Sequence, residues 1–122
     1  MKPVVINGKA WRVVRVSPDD PRLIDRLGLK TLGTTDPRTM TIHISNAIEP
    51  PLLDRVLLHE IAHAVTISYG LVDALHEHIP SKYWVWLEEW ACHIVETYSL
   101  EASRLATKVL SRPVCVRGFC ND

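Results

Sequence analysis

The spacing of apolar residues changes period several times along this chain, and each change marks an element. Val4, Val5 and Ile6 precede Asn7-Gly8, and Trp11, Val13, Val14 and Val16 follow it. β-branched and aromatic residues on either side of a tight-turn dipeptide predict a hairpin, with a strand over residues 9–16 and a shorter one before it. Ser17-Pro18-Asp19-Asp20-Pro21 breaks that strand. Residues 21–27 read as one or two helical turns ending at Gly28, and residues 29–37 as a loop or hairpin connection. Residues 39–45 alternate cleanly, with Met40, Ile42 and Ile44 on one face and Thr41, His43 and Ser45 on the other. That period of two is the clearest strand signal in the chain, and it puts His43 on the more polar face, as a half-exposed strand histidine or, alternatively, a residue lining a substrate cleft.

The period then lengthens. Leu53, Leu57, Ile61 and Ala64 recur at intervals of four and three, which is one face of a helix over residues 52–69. Pro50 and Pro51 suit a first turn, and Gly70 suits the left-handed position past the last. Residues 71–80 read as a loop. Ser81 is placed to cap a second helix beginning near Lys82, and residues 83–98 contain no Gly or Pro. Helical character extends to Leu110, with a bend expected near Ser99 because one unbroken helix would be long for so small a domain. Residues 113–122 read as an extended tail. These elements predict a single α+β domain over residues 1–122.

Composition narrows the function classes. Fourteen basic and fourteen acidic residues give a formal net charge of zero, so bulk electrostatics favours neither nucleic acid nor an anionic membrane. No apolar run approaches a bilayer-spanning length, and the first residues lack a signal-peptide pattern, which makes cytoplasmic residence the expectation. Cys92, Cys115 and Cys120 are an odd number and read as free thiols, with a Cys115–Cys120 pair as the alternative if the tail folds back.

Chemistry concentrates in the first long helix. His59-Glu60-Ile61-Ala62-His63 places two imidazoles four residues apart, on one helix face, where both can ligate one metal ion. Glu60 points elsewhere and suits the general base of a zinc hydrolase, in reach of a water at the metal. A catalytic zinc takes a third protein ligand and keeps one position open. The acidic candidates on the second helix are Glu88, Glu89 and Glu96. The side that carries the ligand should also carry small residues, so that the helices can approach. Ala91 follows Glu88 by three, which favours Glu88 with Glu89 as its competitor. His76 and His78 read as loop residues.

His59-Glu60-Ile61-Ala62-His63 followed by Glu88-Glu89-Trp90-Ala91 resembles the gluzincin pattern, in which a glutamate on a later helix completes the metal site. With the Ile/Thr strand before it, the segment over residues 27–97 resembles the small ImmA/IrrE-like metallopeptidases of bacteria and their prophages. The resemblance implies His59, His63 and Glu88 as zinc ligands and Glu60 as general base. It also implies a minimal core, a small twisted sheet packed on the motif helix and on the glutamate helix. Such families often carry Asp or Asn four residues after the ligand glutamate, and here that position holds Cys92, followed by His93.

The expected activity is therefore zinc-dependent hydrolysis of a peptide bond in a protein or peptide substrate. An extended substrate is expected to pair with the strand over residues 40–45, and His43, His76, His78, Tyr69 and Tyr83 are candidate donors to the oxyanion. Two other classes compete. One is a zinc-stabilised binding module without catalysis; the other is a metal-free interaction protein that docks through Tyr83, Trp84, Trp86 and Trp90.

Overall fold

A computed structural model describes residues 1–116 and 119–120, with side chains over 1–116. Strands β1 (Val4–Ile6) and β2 (Lys9–Val16) form the expected hairpin. Asn7 and Gly8 both have positive φ, 49° and 75°, as a two-residue turn matched to strand twist requires. Strand β3 (Gly33–Asp36) pairs antiparallel with β4 (Thr41–Ser45), and β4 pairs parallel with β2 in the register Val13 to Ile42. The sheet order is β1-β2-β4-β3.

Three helices follow: α1 (Leu52–Ser68), α2 (Leu71–His78) and α3 (Trp84–Leu110). The architecture is α+β, a small mixed sheet with helices packed against it. One face of α1 lies on the sheet, where Ala64 joins Trp11, Val13, Ile42, Ile44 and Ile48 in the buried cluster. The β1–β2 hairpin also grips the end of α1. Trp11 Nε1 donates to Ser68 Oγ at 2.8 Å, and Asn7 Nδ2 donates to the Ser68 carbonyl at 3.0 Å. The opposite side of α1 meets α3, and the site lies between them.

Several expectations change. Residues 33–36 form a strand within the expected loop, because Thr34 and Thr35 find β4 as a partner that no local signal announces. Residues 71–78 are helical rather than a loop. Gly70 adopts φ 71° and ends α1, and its carbonyl accepts the first bond of α2 from Ala74 N–H. Ser81 lies inside a 3-10 turn, Ser81–Tyr83, and Tyr83 is the unassisted N-cap of α3. α3 runs 27 residues without a break at Ser99, whose hydroxyl bonds back to the Val95 carbonyl within the helix. His43 is buried, not half-exposed, because residues of the 3-10 turn Pro21–Leu23 pack over β4.

The tail also differs. Cys115 is disulfide-bonded, on the short strand β5 (Cys115–Val116), where its backbone partner in β6 (Phe119–Cys120) is Cys120. The free-thiol reading holds for Cys92 alone among the described residues. No helix among the described residues is long and apolar enough to cross a membrane.

Candidate functional site

His59 and His63 stand one turn apart on α1, with ring centroids 5.0 Å from each other. The carboxylate that meets them is Glu89 on α3. Its Oε2 lies 3.2 Å from His59 Nε2, and its Oε1 lies 3.2 Å from His63 Nε2. One ligand atom from each of the three residues falls within 4.8 Å of the others. Ligand atoms about 2.0–2.1 Å from a tetrahedral zinc stand roughly 3.3 Å apart. Two imidazole nitrogens and a carboxylate at these separations are a donor set that fits zinc.

Glu88, the expected third ligand, faces elsewhere. Its Oε1 is 3.2 Å from His76 Nε2 on α2, and its Oε2 is 2.7 Å from Arg26 Nη1 in the loop before β3. Both oxygens are therefore engaged away from the histidine pair. The correction is one residue of helix register, a rotation of about 100°. The fully buried small residue on α3 is Cys92 rather than Ala91, which had favoured Glu88. Cys92 is 1% exposed on the side of α3 that carries Glu89 and Glu96. Burial pushes its thiol up to about 12, with Glu89, Glu60 and Glu88 adding to the effect, so it stays neutral.

Charges at the centre respond to one another. Hydrogen bonds from His59 and His63 hold the Glu89 carboxyl far below its ordinary range. For His59 burial pulls downward, but the Glu89 hydrogen bond and the charges of Glu60, Glu89 and Glu96 outweigh it, and the net shift is upward. Glu60 is 7% exposed, and burial raises its pKa against the opposing pull of His63, Thr35 and His59. Thr35 Oγ1 on β3 lies 2.9 Å from Glu60 Oε1 and 3.1 Å from the Glu60 carbonyl, so one hydroxyl proton serves both. A buried carboxylate with a raised pKa and a fixed orientation is suited to take and return a proton.

These groups line a cleft of about 930 Å³ between β3, α1 and the start of α3. Its β-wall is not the strand expected from the sequence. Residues 41–45 are paired on both sides, by β2 and by β3, and have no free edge. The edge strand beside the cleft is β3. Gly33 lets it approach α1, since a Cβ there would stand 2.8 Å from Val56 Cγ1 and 3.1 Å from Glu60 Cγ. Of the five candidate oxyanion donors, only His43 and His76 line the cleft. Strand alternation puts His43 on the sheet face opposite Ile42 and Ile44, which pack toward α1, so His43 is turned from His59, His63 and Glu89. His76 stacks on Trp84 with centroids 3.7 Å apart and is held by Glu88.

Sequence reasoning missed Thr35 and Arg26, which no motif marks. It counted Glu96 only as a possible ligand, although seven residues from Glu89 is two helical turns on one face. Compared with known proteins, the chain matches no protein family, no curated protein and no solved structure, and the reading of this site rests on its own geometry.

Proposed function

We propose that this chain is a zinc-dependent peptidase, with His59, His63 and Glu89 holding the metal and Glu60 acting as general base. The observation that carries the reading is the single Glu89 carboxylate placed 3.2 Å from both imidazole Nε2 atoms, beside a buried glutamate that is not itself a ligand. Zinc bound there supplies Lewis acidity toward water and carbonyl oxygen. Glu60, oriented by Thr35, accepts a proton from the attacking water and delivers it to the leaving amine. The free edge of β3 offers main-chain hydrogen bonds to an extended peptide laid along the cleft, which demands no particular sequence. His76, fixed by Glu88 and Trp84, lines the same cleft.

The test is zinc content after exhaustive dialysis, together with cleavage of an unfolded protein substrate. Near-stoichiometric zinc is expected in wild type, Glu88→Ala and Glu60→Gln, and its loss in His63→Ala and Glu89→Ala. Loss in Glu88→Ala with retention in Glu89→Ala returns the third ligand to Glu88. Glu60→Gln should keep zinc while cleavage falls about 10²–10⁴-fold. A zinc-loaded wild type that cleaves nothing leaves the binding module, and a wild type that takes up no zinc overturns the metal reading.

A further inference from the structure

The His59 ring is bracketed by two carboxylates from one helix. Glu89 stands at its Nε2, and Glu96 Oε1 stands 3.4 Å from its Nδ1. The seven-residue spacing gives a rise of about 10.5 Å, enough to place one carboxylate at each end of an imidazole. Glu96 is no solvated surface charge, since its side chain is only 10% exposed. Nδ1 of His59 is itself buried and in ion-pair range of Glu96, but off hydrogen-bond alignment. The other oxygen of Glu96 is held from α1, where Arg55 Nη2 lies 3.3 Å from Oε2.

We infer that Glu96, pinned by Arg55, is the positioning residue that keeps the proton of His59 on Nδ1 and so presents the Nε2 lone pair to the metal. This rests on the zinc reading above. A metal-ligating imidazole binds through one nitrogen, and a carboxylate at the other fixes both tautomer and ring angle. His59, His93 and Glu96 also have ligand atoms within reach of one another. A second cation there would share the Glu96 carboxylate with the Arg55 guanidinium, and through Nδ1 it would need His59 without the proton on that nitrogen. The orienting role needs neither. His63 has no such support among the described contacts, which makes His59 the ligand whose geometry depends on a partner.

The test compares zinc affinity, by competition with a chromophoric chelator, in wild type, Glu96→Ala, Glu96→Gln and Arg55→Gln. Long-range ¹H–¹⁵N spectra of the histidine rings accompany it. Glu96→Ala is expected to weaken zinc about 10–100-fold. Glu96→Gln keeps an acceptor oxygen and should recover most of that loss, and Arg55→Gln should weaken binding less than Glu96→Ala. In wild type the zinc-loaded spectra should show His59 protonated at Nδ1, with that proton exchanging faster in Arg55→Gln. Should Glu96→Ala fail to fold, the two amide variants and the tautomer spectrum still decide. Wild-type affinity in Glu96→Ala, beside loss of zinc in Glu89→Ala, overturns the positioning role and leaves the metal site standing. Zinc bound to wild type with His59 ligated through Nδ1 also overturns it. No zinc in wild type or in any variant overturns both readings together.

Discussion

α1 has two contrasting sides. Toward the sheet it buries Ala64 against Trp11, Val13, Ile42 and Ile44, and this contact is apolar and closed. Toward α3 it presents His59 and His63 to Glu89, with Glu96 and Arg55 behind them. The first interface holds the fold through burial, which is non-directional and scales with area. The second places ionisable groups in fixed directions, and such groups add little to stability while they select what can bind.

The largest effect should come from breaking the apolar side. Trp11 is fully buried and its indole N–H bonds Ser68, so Trp11→Ala is expected to destabilise the fold by about 3–5 kcal/mol. Urea denaturation would show a lower midpoint at unchanged slope. Glu89→Ala is its counterpart on the polar side. Glu89 is 42% exposed, so its ion pairs are screened, and the metal-free protein should shift by no more than about 1 kcal/mol. Equal losses in the two variants would erase the contrast.

Gly33→Ala probes the seam between the two sides. A Cβ would meet Val56, Glu60 and Ile44 at 2.8, 3.1 and 3.2 Å, so overpacking should cost about 1–3 kcal/mol. The same displacement of β3 should loosen Thr35 from Glu60, and thermal melts with cleavage assays on one sample would read both. A melt unchanged from wild type would mean the seam gives way freely.

The smallest effect concerns His43, an ionisable group enclosed on the far face of the sheet. Burial, and then the Arg22 charge, lower its pKa below the ordinary 6.5. The unfolded chain therefore binds this proton first as pH falls. Its contribution to stability is complete above pH 6.5 and is lost as pH falls through the folded pKa, at no more than about 1.4 kcal/mol per pH unit. His43→Leu should flatten the slope of stability against pH in that window, and a slope equal to wild type would show that another group sets it.

Both long helices and three of the four sheet strands were legible in the sequence. Their periods of two and near four are set by local backbone geometry and need no partner to be read. β3 was not legible. A four-residue segment of Gly, Thr, Thr and Asp has no local preference strong enough to announce a strand, and only the β4 edge makes it one. α2 was hidden by the Gly70 break and by a length below what propensity alone can mark. At the site, the four-residue spacing of His59 and His63 determined that they would share a face, because helical turns repeat every 3.6 residues. The choice between Glu88 and Glu89 lay beyond the sequence. Adjacent residues on a helix point about 100° apart, and which of them meets the histidines depends on how α3 is rotated against α1. That rotation is set by burying Cys92 between the helices and by the engagement of Glu88 with Arg26 and His76, contacts that exist only once the chain has folded.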